Sequence, residues 1–454
     1  MFSAGKVASG RLLPRCRSVD RALRTIRGAV GENLKGNRGG DVFLRDADGL
    51  SLLERAETRP PDPSPSQIDQ TESSKIPTFR EWGNCEWLMK GCEMGKGLRI
   101  AVLLSGGVDS SVALALLKAA GHDVHAFYLQ IWFQEDFRNF WSACPWEEDL
   151  EYAKQVCELL DVPLEVVPFT KEYWDRVVAH SIKEIQDGRT PNPDMMCNSR
   201  VKFGAFYEFL DSSKEPFDRV ASGHYACAKR SEEGVQLCLT PDLVKDQTYF
   251  LANLTQEQLN RTLFPLGFFM KDEVRMLAAA AQLPTQSRKD SQGICFLGKV
   301  KFDEFVEEHL GRWQGLIVEE ESGNPLGFHN GYWFHTTGQR TGLKLPDGPW
   351  YVVRKDIDWN VVYASKHYSS EDKLRNEFYC TSLNWLRKPN WSNKIYCKVR
   401  HGPEMYTCEV AEAAEGKIRV HLDGKDQGLA PGQYAVFYQD RICLGCGVID
   451  AACT

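Results

Sequence analysis

No stretch of this sequence approaches 18 consecutive apolar residues, so no segment is expected to cross a membrane as a helix. The N-terminus, MFSAGKVASGRLLPRCRSVDRALRTIRGAV, lacks the continuous apolar core of a secretory signal and holds no acidic residue before Asp20. Nine Lys or Arg stand against two acidic residues over positions 1–40, which fits an organellar presequence. Serine is scarce there, which favours a mitochondrion over a chloroplast; a cytoplasmic protein is expected only if the segment does not target. Without a secretory signal, 15 cysteines, an odd number, read as thiols in a reducing compartment and not as a disulfide framework. No three or four of them cluster as an iron–sulfur centre requires. The lone C-x-x-C at Cys443 and Cys446 has no second pair to complete a zinc site, so packing is its expected role.

An excess of positive charge is also missing. The 55 Lys and Arg against 62 Asp and Glu give −7, and because positions 1–40 carry +7, the remaining 46 basic and 60 acidic residues give −14. A nucleic-acid partner is not excluded by this, but local basic clusters such as Arg288-Lys289 and Lys398-Arg400 would have to meet it. At 454 residues, 43 % of them hydrophobic, the chain is an ordinary globular one of roughly three domains.

Residues 1–95 are expected to be a targeting segment and a disordered linker, the latter marked by RPPDPSPSQIDQTESSK (59–75). From position 96 strand and helix patterns alternate: strands at 99–104, 124–129, 163–167 and 219–223, helices at 111–120, 147–160, 172–186 and 199–210. The alternation predicts an α/β domain over 96–262, a parallel sheet covered on both faces, with ligands bound beyond the carboxyl ends of its strands. A small central domain is expected over 263–370, with 284–304 returning to the first domain. A C-terminal β-barrel over 371–454 is expected to turn at Asp423-Gly424 and to include a strand at 434–438.

Two familiar phosphate loops are absent: there is no GK[ST] ending and no G-x-G-x-x-G. Instead, the first strand leads into Ser105-Gly106-Gly107-Val108-Asp109-Ser110-Ser111 and then a helix. Paired glycines let the backbone approach a ligand, and a helix N-terminus offers free N–H groups and a positive dipole end. Together they make a pyrophosphate cradle. The heptad matches, without a mismatch, the PP-loop of ATP pyrophosphatases, which cleave ATP to AMP and pyrophosphate. Asp109 is the candidate to hold Mg²⁺ beside the phosphates.

Two cysteines stand in motif-like surroundings. Cys197, in GRTPNPDMMCNSRVKF, follows two prolines and is expected at the start of a helix, where the dipole lowers a thiol pKa. Asp194, three residues earlier, is a candidate proton acceptor. Cys295, in SRKDSQGICFLGKVKF, comes after Gly293 among Arg288, Lys289 and Lys299, whose charges favour a thiolate.

The PP-loop together with T-P-N-P-D-x-x-C-N-x-x-x-K-F, G-H-Y, K-D-Q-x-Y-F-L, G-I-C-F-x-G, H-T-x-G-Q-R and P-G-Q-x-A-V-F-Y resembles the tRNA-specific 2-thiouridylases, from about Arg99 to Ile449. The resemblance implies a PP-loop domain, a central domain and a C-terminal barrel, and ATP-dependent 2-thiolation of the wobble uridine. ATP would lie on Leu103, Leu104, Ser105, Gly106, Gly107, Val108, Asp109 and Ser110, with Leu129 and Gly223. Asn192, Pro193 and Asp194 would contact the target uridine. His224, Lys245, Asp246, Gln247, Arg400, His401 and Gln433 would contact tRNA at the anticodon loop, His401 standing where the family has an aromatic. Cys197 and Cys295 would be the catalytic pair. Cys295 would carry a persulfide delivered by a cysteine desulfurase or relay protein, without an iron–sulfur cluster, and the enzyme is expected to be a monomer. The segment 133–149 departs from the bacterial pattern. The alternative is a PP-loop AMP-forming synthetase acting on a small molecule, which would need neither cysteine nor tRNA.

Overall fold

The computed structural model describes residues 76–131, 145–213, 216–289, 302–368, 375–426 and 429–452. The targeting segment, most of the 133–149 segment with Cys144, and Cys295 lie outside the described residues.

The first domain opens with β1 (Arg99–Leu103), α1 (Val108–Ala119), β2 (Asp123–Gln130), α2 (Pro145–Leu160) and β3 (Leu164–Pro168). It continues through α3 (170–186), α4 (193–211) and β4 (Arg219–Ser222). A hairpin, β5 (Cys227–Ser231) and β6 (Gly234–Cys238), precedes α5 (Thr248–Leu251), α6 (Gln256–Asn260), β7 (Thr262–Leu263) and α7 (Lys271–Ala280). Among the described residues five strands form one sheet in the order β3-β2-β1-β4-β7, all neighbours parallel. Alternation along β1 buries Ile100 and Val102 on one face with α1, and Ala101 and Leu103 on the other with α3 and α4. The strand order reverses between β1 and β4, the place where such sheets open a crevice at their carboxyl ends.

The central part holds α8 (Phe302–Leu310), β8 (Gly315–Glu319), β9 (Pro325–His329), β10 (Tyr351–Asp356) and β11 (Val361–Ser365), a four-stranded sheet ordered β10-β11-β8-β9. Its rings His329 and His335 pack 5.4 Å apart, both buried. Burial, with His329 and Lys355 adding, pushes the His335 imidazole down to about 4 from 6.5. The unfolded chain therefore takes a proton that the folded chain refuses between these values. Stability is full above pH 6.5 and falls as pH drops towards 4, by roughly 3 kcal/mol over the whole interval. Denaturant titrations from pH 7 to pH 4.5 should show this fall, and His335→Gln should flatten it; an unchanged slope would refute the assignment.

The last part comprises β12 (Arg375–Trp385), β13 (Ile395–Lys398), β14 (Tyr406–Glu412), β15 (Ile418–Asp426), β16 (Tyr434–Gln439) and β17 (Ile442–Ala452). They run β12-β15-β14-β13-β16-β17, and β12 pairs with β17 to close an antiparallel barrel. The expected turn at Asp423-Gly424 is not there. β15 runs straight through, because Asp423 pairs with Thr407 and Gly424 lies under the Tyr406 ring, where a Cβ would come within 2.8 Å. The β5–β6 hairpin leaves its own domain and extends the barrel sheet, Cys238 opposite Ile442 and Leu237 opposite Cys443.

The linker expectation fails over residues 76–95. Phe79–Asn84 forms a 3₁₀ turn, and Trp82, Leu88 and Cys92 are fully buried in the core that contains α1. Gly83 sits so close to the end of α1 that a Cβ would fall 2.6 Å from the Ala119 carbonyl oxygen.

Candidate active site

α1 begins at Val108 with Gly107 as its N-cap, three residues earlier than the sequence pattern predicts. The loop between β1 and α1 is therefore short and the helix N-terminus opens directly on the crevice. Gly106 has φ +75°, and a Cβ there would lie 2.0 Å from the Asp149 carbonyl oxygen near the start of α2. Only glycine fits. At the end of β4, a Cβ on Gly223 would meet the Ser110 nitrogen at 2.6 Å, so this strand end touches the first turn of α1. The hydroxyls lock the loop from within. Ser110 Oγ accepts from the Ser105 amide and donates to the Gly107 carbonyl, each at 3.2 Å, and Ser111 Oγ donates to the same carbonyl at 2.8 Å. Leu103, Leu104 and Val108 are buried and anchor the loop, Ser105 is exposed, and Leu129 is half-buried on the neighbouring β2. Glycine backbone and a helix N-terminus fit a polyphosphate.

Two cations flank this loop, and each is held by a carboxylate in the first turns of a helix. Lys271, first residue of α7, donates to Asp109 Oδ1 at 2.7 Å and Oδ2 at 2.9 Å, and the Tyr225 hydroxyl donates to Oδ1 at 2.9 Å. Arg288 donates to the Gly106 carbonyl and to Asp149 Oδ1, both at 2.7 Å, and lies 4.4 Å from the Tyr152 ring centre. Arg288 is thus a clamp on the phosphate loop, which corrects its expected place in an RNA-binding cluster. Lys398 is corrected likewise. It is 1 % exposed, its Nζ lies 5.5 Å from the Tyr438 ring centre, and burial lowers its pKa.

The T-P-N-P-D segment enters α4. Asn192 is the N-cap, its side chain accepting from the Met195 amide at 3.2 Å, and Pro193 takes the first helical position, which suits its fixed φ. The helix therefore opens at Pro193, six residues before the expected start at 199. Cys197 sits five residues past the cap, buried, at the head of a π-type stretch Cys197–Ala205. Asp194 stands in the first turn, and Cys197 lies one turn further in, not at the helix start as expected. Such widened turns are frequent at functional sites.

A turn of the barrel grips this segment. The Thr190 amide donates to the Pro431 carbonyl at 2.7 Å. Gln433 Nε2 donates to the Thr190 and Pro191 carbonyls, both at 3.0 Å, and its Oε1 accepts from Asn192 at 3.4 Å. Gly432, φ +92°, leaves room that a Cβ would take from the Thr190 carbonyl, 2.9 Å away. Gln433, expected to touch tRNA, here spends its amide on the segment that carries Asp194 and Cys197.

His224 accepts from or donates to Ser222 Oγ at 2.8 Å, and packs against Phe203 of α4 and Phe264. Burial, then Lys202, drives its pKa well below 6.5, so it is neutral. The pieces Lys245-Asp246-Gln247 and Arg400-His401 come together: His401 Nε2 lies 3.0 Å from the Asp246 carbonyl oxygen and its ring stacks on Phe250 at 4.8 Å. Asp246 is buried, and its carboxylate accepts from the Thr240 and Thr248 amides, so it braces this loop from inside. Gln247 Oε1 accepts from the Tyr225 amide at 2.9 Å. Arg400 is exposed and pairs with the buried Asp426.

Five other thiols among the described residues are buried and held protonated. Burial raises Cys443 and Cys446 far above the ordinary range and holds Cys92, Cys157 and Cys227 at about 12. Among the described residues no group of three or more His, Cys, Asp or Glu is arranged to hold a metal. Sequence reasoning misses Lys271 and Tyr225; Lys271 opens an ordinary amphipathic helix, and nothing local marks its reach to Asp109.

Sheet, loop and crevice define a nucleotide-dependent enzyme of the PP-loop class. Three family models match in tandem: the tRNA methyl transferase HUP domain over 98–299, the tRNA methyl transferase PRC-barrel domain over 303–366, and the aminomethyltransferase beta-barrel domain over 375–449. The chain is 44 % identical over 359 residues to the tRNA-specific 2-thiouridylase MnmA of Parabacteroides distasonis, covering 78 % of this chain and 99 % of that protein. It is 42 % identical to MnmA 1 of Bacteroides thetaiotaomicron, with the same coverage, and 40 % identical to MnmA of Porphyromonas gingivalis over 77 % of this chain and 98 % of that one. The chain belongs to the tRNA-specific 2-thiouridylase family.

Proposed function

We propose that the protein replaces the C2 oxygen of a tRNA uridine, at the wobble position, by sulfur at the expense of ATP. One observation carries this reading most directly. α4 bears Cys197 and, through Phe203 against His224, packs beside the end of β4 where the nucleotide loop lies. The helix that carries the thiol thus packs beside the strand end that meets the first turn of α1. Uridine O2 attacks the α-phosphorus of ATP, the bond to the β-phosphate oxygen breaks and pyrophosphate leaves. The N3 proton passes to Asp194 or to a base that Asp194 orients. The outer sulfur of a Cys295 persulfide attacks C2 and expels AMP. Cys197 then attacks the Cys295 sulfur, the S–S bond breaks, and its electron pair stays on the sulfur attached to C2, which becomes the thiocarbonyl as N3 regains a proton. The Cys197–Cys295 disulfide must be reduced by an external dithiol before the next cycle. A divalent cation, Mg²⁺, would neutralise the triphosphate. A sulfur-donor protein supplies the persulfide, and the Arg-rich N-terminus directs the chain to the mitochondrion.

The test is incubation with tRNA, Mg-ATP and a persulfide source, then nucleoside mass analysis. One AMP and one pyrophosphate per 2-thiouridine are expected. Pyrophosphate release at full rate without tRNA would instead favour a small-molecule synthetase. In the same assay Gln433→Ala should lower thiolation by roughly 10–10²-fold through loss of alignment, with ATP affinity unchanged. A matching loss of ATP affinity would refute a role confined to the T-P-N-P-D segment.

A further inference from the structure

The Asp109–Lys271 pair joins the loop that should hold phosphates to a helix that the sequence does not connect with it. Lys271 is 11 % exposed on its side chain, while Asp109 is 35 % exposed, so the carboxylate stands at the crevice and the ammonium lies behind it. Both carboxylate oxygens are engaged by one Nζ, and Tyr225 fixes the nearer one. Lys271 is itself fixed at its backbone, where its amide donates to Asp242 Oδ2 at 3.1 Å. A flexible four-carbon stem on an anchored Cα gives an ammonium that can shift between oxygens without moving its helix. A solvent-exposed lysine would serve a surface role; one walled in beside a phosphate loop, with its charge neutralised by the loop's own acid, is placed for exchange between two anions.

We propose that Lys271 holds the pyrophosphate leaving group, and that nucleotide binding trades the Asp109–Lys271 pair for two new ones: Lys271 with β- and γ-phosphate oxygens, and Asp109 with the divalent cation. The proposal rests on the ATP-dependent reading above. When the α–β phosphate bond breaks, its electron pair remains on pyrophosphate, and the added negative charge appears where an ammonium already stands. A preorganised cation there stabilises the charge that develops in the transition state. The trade also leaves each member of the pair facing an opposite charge before and after binding: first each other, then Lys271 the phosphate oxygens and Asp109 the divalent cation. Asp109 alone would repel the triphosphate, and Lys271 alone would leave a buried ammonium unpaired.

Lys271→Gln, which removes the charge and leaves a shorter side chain with an amide donor, and Lys271→Arg, which keeps the charge, test this on the full-length protein. Binding of Mg-ATP and of AMP is measured by calorimetry, and tRNA-dependent pyrophosphate release is measured alongside. AMP lacks the pyrophosphate, so Lys271→Gln should weaken Mg-ATP binding while leaving AMP binding as in the parent. It should slow pyrophosphate release by ~10²–10³-fold. Lys271→Arg should recover part of both. Equal weakening of ATP and AMP, or ATP affinity and release unchanged, would overturn the proposal; in the first case Lys271 merely shapes the loop. If the parent binds ATP but releases no pyrophosphate with any tRNA, the thiolation reading fails while the binding contrast still judges Lys271. Asp109→Asn should raise the Mg²⁺ concentration needed for half-maximal ATP binding, and an unchanged Mg²⁺ requirement would overturn the metal half of the exchange.

Discussion

Cys197→Ser should split the reaction in two. Formation of 2-thiouridine falls by more than about 10⁴-fold, as expected when the acting nucleophile of a coupled set is removed, while tRNA-dependent pyrophosphate release continues. The reason is spatial. The phosphate loop is locked by Ser110, Ser111 and the flanking Lys271 and Arg288, none of which depends on the Cys197 sulfur. Serine is close in volume to cysteine, so the buried helix position should tolerate it. Cys295→Ser should behave alike towards sulfur transfer. Mass analysis of tRNA and a pyrophosphate assay on the same samples decide the matter. Thiolation surviving in both variants would dismiss the persulfide route, and loss of pyrophosphate release in Cys197→Ser would tie the thiol to activation instead.

Removing residues 1–95 should destroy the fold, whereas a chain beginning at Ile76 should keep it. Composition alone suggests a dispensable linker to position 95. Yet Trp82, Leu88 and Cys92 are fully buried against the helix that comes after the phosphate loop. Truncating a single buried Trp typically costs about 3–5 kcal/mol, and losing the whole segment costs more, against a total stability of about 5–15 kcal/mol. Circular dichroism melts of the two truncations check this. A cooperative melt of the shorter chain near that of the longer one would show that the segment contributes little. The Trp82→Ala variant, less drastic, should lower the melting temperature by several degrees.

How much is legible in the sequence depends on how local each feature is. The heptad at 105–111 states its geometry within seven residues, and the first strands announce the parallel sheet by alternation. Asp109 is legible but the lysine that holds it is not, because the two are 162 positions apart. Arg288 and Lys398 mislead for the same reason: a charge in sequence does not say whether a carbonyl, a carboxylate or a ring awaits it. Gly424 reads as a turn because Asp-Gly is a strong hairpin signal; here the glycine admits an aromatic ring from the adjacent strand. The segment 76–95 shows neither helical nor strand period, so its buried face leaves no pattern. The T-P-N-P-D segment is legible as fixed and capped, but its support from Pro431 and Gln433 comes from the far end of the chain.

The β5–β6 hairpin has a consequence for how this chain is made. Its outer partner is β17, about 200 residues further on, so the hairpin emerges from the ribosome long before the strand that will cover it. Until then β6 presents an unpaired edge, with Cys238 and Leu237 open to solvent. The nucleotide-binding half therefore cannot complete its burial during synthesis, and a nascent chain stalled before residue 442 is a candidate for chaperone capture. Assembly is thereby ordered in time: the barrel turn that grips the T-P-N-P-D segment and the strand that seals the hairpin arrive together, so the entry to α4 gains its support from the barrel only once these strands are in place.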